Sequence, residues 1–202
     1  MSLWRTARPL VLASRSASRR AMLEAAGIPI EVHVPEVDER GVEVTAGPRG
    51  PVDTAVLLAC EKALAVALRL PGRLVVGADQ TLALGTRRFD KPTDRAAARG
   101  QLAALSGVTH DLHSAVAVAL DGEVMFTATD TARLTMRPLS ETFLDSYMEA
   151  AGAAVLDSVG AYQLEKLGVH LFERVEGDHF NILGLPLLPL LDFLRRKGSL
   201  AQ

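Results

Sequence analysis

The sequence predicts an α/β fold in which a mixed sheet is flanked by helices, with a cleft between two lobes. Three observations lead there. Short apolar runs alternate with helical-period runs almost from the first residue. Asp121-Gly122 joins two long β-rich runs, a hairpin signal that pure βαβ repetition lacks. The chain has 202 residues, 49% apolar and 23% charged, which suits a single domain over 1–202 with a sizeable buried core.

The elements follow in order. Pro9–Ser14 reads as a short buried strand. Ser16–Ala26 reads as a helix with serines at its entry and Gly27 at its end. Ile28–Val34 is a second strand, and 41–51 (GVEVTAGPRGP) reads as a loop from its Gly and Pro content. Asp53 is placed to cap a helix whose stripe of Val56, Ala59, Cys60, Ala63 and Ala67 has helical spacing, ending near Leu70 before Pro71-Gly72. Arg73–Asp79 is an apolar strand ending in a carboxylate, with Thr81–Leu84 as its continuation before Gly85. A helix over 94–105 precedes strands near 110–120 and 124–137, and Ser140 caps a helix to about Ala150. The last part reads as a loop, a short hairpin and a final helix with Leu187, Leu190, Leu191 and Leu194 on one face.

Charge and cysteine content narrow the function classes. With 22 basic and 24 acidic residues, the net charge of −2 gives no global attraction to nucleic acid or anionic membrane. The single cysteine, Cys60, rules out a disulfide framework and reads as a small core residue. The apolar run at Pro9–Ala13 is too short for a secretory segment, and Ile182–Phe193 is interrupted by Gly184, Pro186, Pro189 and Asp192. The expected location is therefore the cytoplasm. P-loop, Rossmann, zincin and serine-hydrolase signatures are missing. His110 and His113 form H-x-x-H, but on a strand they point to opposite faces, which disfavours zinc.

Five features carry chemistry. Ser14-Arg15-Ser16-Ala17-Ser18-Arg19-Arg20 sits where a strand turns into a helix, a natural phosphate site; the same serines also serve as plain caps. Asp38-Glu39 follows the second strand. Lys62 interrupts an alanine- and leucine-rich helix, a position that also suits a snorkelling surface lysine. Gly77-Ala78-Asp79-Gln80 places a carboxylate at the end of an apolar strand, where open α/β sheets bind ligands. Lys91-Pro92 holds a cation on a stiff loop. Together they suit hydrolysis at the α-phosphate of a nucleotide: Asp79 and Glu39 would hold a divalent metal and orient water, and Lys62, Lys91 and Arg19 would neutralise phosphate charge.

The chain also resembles the Maf family (septum formation inhibitor proteins) over nearly its whole length. The matching blocks are LVLASRSASRRAMLEAAGI, Val37-Asp38-Glu39, LACEKALAVA, VVGADQTL, DKP, LSGVTHDLHSAVAV, GAYQLEKLG and ILGLPL. The resemblance implies an elongated, two-lobed fold like the inosine triphosphate pyrophosphatases, with the nucleotide in the central cleft. It implies hydrolysis of a nucleoside triphosphate to monophosphate and pyrophosphate, dependent on magnesium or manganese. It makes Asp79 the catalytic base, and Ser14, Arg19, Glu39, Lys62 and Lys91 the phosphate and metal contacts, the metal falling to Asp79 and Glu39. It assigns base choice to Ser18, Gln80 and Glu165, and the Gln–Glu pair resembles the 7-methyl-GTP pyrophosphatase subgroup, although that subgroup often has Trp where Ser18 stands. Partners are then a nucleoside triphosphate and possible self-association as a homodimer, with no nucleic acid and no membrane. Two alternatives stay open: a dTTP/UTP-type pyrophosphatase, and a non-catalytic nucleotide-binding regulator of cell division.

Overall fold

The computed structural model describes residues 3–202. Its strands are β1 (Leu10–Ala13), β2 (Ile30–Val32), β3 (Val75–Leu84), β4 (Arg87–Phe89), β5 (Thr109–Leu120), β6 (Glu123–Met136) and β7 (Phe172–Glu176). Its helices are α1 (Ala17–Ala25), α2 (Glu39–Ala46), α3 (Pro51–Ala67), α4 (Arg95–Leu105), α5 (Glu141–Ala151), α6 (His179–Ile182) and α7 (Leu187–Arg196). The strands form one mixed sheet in the order β2-β1-β3-β5-β6-β7, with β4 on β3. The mixed α/β class read from the sequence is the one observed.

The chain divides into two compact units. The first comprises residues up to Gln80 together with Ser114–Asp130 and Gly184–Gln202. Here β1 is buried along its length and pairs in parallel with β2 and β3, Val11 lying opposite both Glu31 and Val75. Helix α3 lays Ala55, Ala59, Ala63, Val66 and Ala67 against Val11, Ala13 and Val75. Small residues on both faces let helix and sheet approach closely. The limit is reached at Gly77, where a Cβ would come within 2.6 Å of the Ala63 backbone nitrogen and closer still to the Ala59 carbonyl. Near its ends the chain is tied to itself by a Trp4–Leu200 bridge, with Arg5 N–H donating to Ser199 O at 2.9 Å.

The second unit comprises Thr81–His113 and Thr131–Leu183. Its core packs Leu102, Leu105, Leu112, Leu134, Leu144, Met148 and Tyr162. Asp94 caps α4 and Ser140 caps α5 through their side-chain oxygens. The β5–β6 turn has both Asp121 (φ 51°) and Gly122 (φ 83°) in the left-handed region, the backbone a two-residue hairpin needs.

Several sequence expectations need correction. Residues 41–46 are helical, not loop, because Asp38 Oδ1 accepts from the Gly41 N–H at 3.1 Å and caps α2; the helix stops only at Gly47, with φ 76°. Asp53 does not cap α3: Gly50 does, with Pro51 in the first turn, and Asp53 lies in that turn, where its charge complements the helix dipole. Regular α-helix ends at Ala67, and Leu70 closes a tighter turn by donating to Ala67 O. Strand β4 was not foreseen, since only Phe89 of its three residues is buried. The expected late hairpin is a single strand, β7, added antiparallel to β6 with Arg133 opposite Glu176. On α7, Leu187, Leu190 and Leu194 are buried while Leu191 is only partly so. Among the described residues no helix is long and apolar enough to cross a membrane.

Candidate active site

Five of the residues singled out from the sequence meet in the first unit. Gly77 and Asp79 lie two residues apart on β3 and so face the same side of the sheet, the side covered by α3. Because Ala59 and Ala63 press on Gly77, the intervening Lys62 is carried to the level of Asp79. Its ammonium stands 2.5 Å from Asp79 Oδ1 and 2.9 Å from Glu39 Oε1. Lys62 and Asp79 are each only 8% exposed, so this lysine is not a snorkelling surface residue. Glu39 reaches the same ammonium from the first turn of α2, which Asp38 anchors, and its own side chain is half exposed.

Ser14 extends β1 by one residue past Ala13, the partner of Gly77. It is buried, and its hydroxyl oxygen accepts from the Ser16 N–H at 3.1 Å; Ser16 in turn caps α1 through the Arg19 N–H. The capping reading of the serine cluster therefore holds: the serines shape the turn, which sits at the end of β1 beside β3. Arg19 uses two donors on backbone, Nε to Gly184 O at 2.7 Å and Nη1 to Ala78 O at 2.8 Å. Gly184 suits this approach, since its φ is 94° and a Cβ would sit 3.3 Å from Arg19 Nη2. The arginine thus braces the residue before Asp79, a role that its place in the motif did not reveal.

The electrostatics follow from burial. The Asp79 carboxyl is pushed above the usual aspartate range, first by loss of water; Lys62 and Arg19 pull the other way, and Glu39 adds to the rise. Burial also lowers the Arg19 guanidinium, with Asp79 and Glu39 opposing. A carboxylate with raised proton affinity is a better acceptor of a proton from water than a solvated aspartate.

The remaining sequence candidates are distributed differently. Gln80 follows Asp79 and donates its amide N–H to Ser114 Oγ at 3.0 Å, a partner that the sequence reading did not single out. Ser18 is partly buried on α1. Lys91 and Glu165 belong to the second unit, where both are exposed. His110 and His113 have separate partners: His110 Nε2 bonds Tyr162 Oη at 2.8 Å, and His113 Nδ1 bonds Thr131 Oγ1 at 2.9 Å. Cys60 is partly buried, and burial with the nearby Glu61 raises its thiol pKa, which suits an inert packing residue.

Comparison with known proteins identifies a family and several close relatives. A family described as Maf-like protein matches residues 9–197. A nucleoside triphosphate pyrophosphatase of Rhodopseudomonas palustris (strain BisB18) is 55% identical over 201 residues, all of both chains. One of the same name from Bradyrhizobium diazoefficiens is also 55% identical over the full length of both. A 7-methyl-GTP pyrophosphatase of Rhizobium johnstonii is 50% identical over 193 residues, 95% of this chain and 97% of its own. Among solved structures, a HAM1 protein from Coxiella burnetii matches 63% of this chain and 72% of its own with a TM-score of 0.41 at 18% identity.

Proposed function

The chain belongs to the Maf family, and on that premise we propose that it is a nucleoside triphosphate pyrophosphatase, a hydrolase that releases a nucleoside monophosphate and pyrophosphate. The observation that carries the reading is the buried Lys62 ammonium, hydrogen-bonded to Asp79 and ion-paired with Glu39. In the reaction a water oxygen bonds to the α-phosphorus while the bond to the α–β bridging oxygen breaks. Pyrophosphate leaves with that electron pair, and the water proton passes to Asp79. The raised proton affinity of Asp79 suits it to this role. Lys62 keeps the carboxylate oriented and offsets charge on the phosphates, while Arg19 holds the Ala78 carbonyl and so the strand end that carries the base. Ser14 and Lys91 are the proposed further phosphate contacts.

A divalent metal fits the donor set. Magnesium is commonly held by one or two carboxylates, with phosphate oxygens and water completing its shell. Asp79 and Glu39, converging on one ammonium, are the two residues that would hold magnesium or manganese. When bound, the ion would supply positive charge at the phosphates and acidify water.

Guanine nucleotides, 7-methyl-GTP among them, are the proposed substrates. Gln80 and Glu165 stand where the family resemblance puts the base contacts, and a carboxylate accepts from the N–H edge of guanine, whereas uracil and thymine suit an amide better. The relative named for 7-methyl-GTP supports the same choice. Ser18 offers no aromatic face to a methylated, cationic base, so selectivity rests on the two polar side chains.

The test is pyrophosphate release from 7-methyl-GTP, GTP, UTP and dTTP, each with and without magnesium or manganese. Metal-dependent turnover led by a guanine nucleotide is expected. Preference for UTP or dTTP would replace the substrate while keeping the reaction. Tight binding with no turnover on any nucleotide would replace the enzyme with a nucleotide-binding regulator.

A further inference from the structure

Glu165 is exposed, yet the backbone beneath it is tightly held. The Gln163 carbonyl accepts from both Lys166 N–H and Gly168 N–H, each at 3.1 Å, which closes a turn with Glu165 inside it. The closure tolerates only glycine at 168, since a Cβ there would lie 2.8 Å from the Gln163 carbonyl carbon and closer to its oxygen. Immediately before the turn, Gly160 (φ 76°) and Ala161 (φ 61°) both take the left-handed backbone, and for alanine that conformation persists only where neighbours impose it.

The neighbours are identifiable. Gln101 Oε1 accepts from the Gly160 N–H at 3.1 Å, and the Tyr147 hydroxyl donates to the Ala161 carbonyl. Tyr162 is buried, its ring edge-on to Phe172 at 4.9 Å, and its hydroxyl bonds His110 Nε2 at 2.8 Å. His110 is itself 1% exposed and sits at the second position of β5. Its other ring nitrogen is buried without a hydrogen-bond partner, so the Tyr162 hydroxyl is the polar hold on that ring. The pair pins the turn to a sheet strand three residues before Glu165.

We propose that Tyr162, held by His110, is a positioning residue for nucleotide selectivity: it fixes the Gln163–Gly168 turn so that Glu165 is presented to the base from a preorganised backbone. The proposal rests on the reading of Glu165 as a base contact. Its physical basis is entropic. A glutamate on a loose loop would have to be ordered on binding, and that cost falls on ground-state affinity for the nucleotides that use it.

The experiment compares Tyr162→Phe, Glu165→Gln and the double variant, by steady-state kinetics on GTP and UTP beside thermal melts. Tyr162→Phe removes one oxygen, and is expected to raise KM for GTP about fivefold while kcat and the KM for UTP stay within about twofold. In the Glu165→Gln background the same change should leave the GTP-to-UTP ratio where Glu165→Gln alone puts it. A lowered melting temperature with selectivity intact, an equal loss on both nucleotides, or effects that simply add in the double variant would each overturn the proposal. If Glu165→Gln alone leaves selectivity unmoved, the reading of Glu165 fails and the proposal falls with it. If only Tyr162→Phe is silent, the proposal fails while that reading stands. Should Tyr162→Phe not fold, Gln101→Leu loosens the same segment at Gly160 from outside the tyrosine's packing, and the same kinetic split decides.

Discussion

Lys62 Nζ lies 2.5 Å from Asp79 Oδ1 across 17 residues of helix end, turn and strand, in a setting where both side chains are almost closed to water. Burying a carboxylate and an ammonium costs solvation that their attraction only partly returns, and the raised proton affinity of Asp79 reports that balance. The candidate site therefore holds its carboxylate at a cost to stability.

It follows that Asp79→Asn should lower pyrophosphate release by about 10²–10⁴-fold. The melting temperature at neutral pH should fall, because the amide leaves the buried Lys62 ammonium with only the half-exposed Glu39 as its charge partner. Pyrophosphate assays beside calorimetry check both halves. Near-full activity in this variant would remove Asp79 from the chemistry.

Arg19→Lys keeps the charge but cannot span the Gly184 and Ala78 carbonyls with a planar fork. Activity is expected to fall by roughly tenfold or more, with a lower melting temperature, since the strand end carrying Asp79 loses its brace. If charge alone mattered, the lysine variant would retain most of its turnover.

Gly77→Ala introduces a Cβ against the Ala59 carbonyl and the Ala63 nitrogen, both backbone atoms that cannot swing aside. The expected destabilisation is about 1–3 kcal/mol in urea unfolding. Activity should fall further than the stability loss explains, because α3 carries Lys62 away from Asp79 as it shifts.

Acid sensitivity should come in part from His110, which burial lowers from the ordinary 6.5 to about 4. Between those values the unfolded chain binds a proton that the folded one refuses, so stability rises with pH there. The contribution is complete above about pH 6.5, is lost as pH falls toward 4, and amounts to on the order of 3 kcal/mol. His113 is lowered by burial as well and adds in the same direction. Melting temperatures from pH 7 to 4 should show the decline, and His110→Gln should flatten it; an equally steep curve in the variant would refute the assignment.

Much of this was legible in the sequence wherever one local signal dominated. Ser16 before α1 and Ser140 before α5 cap as their residue types suggest, whereas Asp94, read as the first residue of α4, is its cap. Asp79 stands out in the sequence because a carboxylate closing an apolar run is conspicuous, and the structure buries it against Lys62. Helix α2 was obscured because Gly41 and Gly47 mark a loop by composition, while the Asp38 cap that decides the matter is a hydrogen bond. Strand β4 gave no pattern, as two of its three residues are arginines. The Arg19 brace and the Gln80–Ser114 bond join positions that are distant in sequence, and no spacing rule within a segment points to them.

The close seat of α3 on Gly77 also bears on how the chain tolerates change over generations. Ala59, Ala63 and Gly77 contribute no functional group, yet the ammonium–carboxylate distance depends on the atoms they lack. In a saturation screen scored by growth or turnover, these three positions would look as intolerant as the proposed catalytic residues. Compensated replacements would have to arrive in pairs, a larger residue on one surface matched by space on the other. The geometry of the Lys62–Asp79 pair is in that sense inherited through the smallest side chains around it.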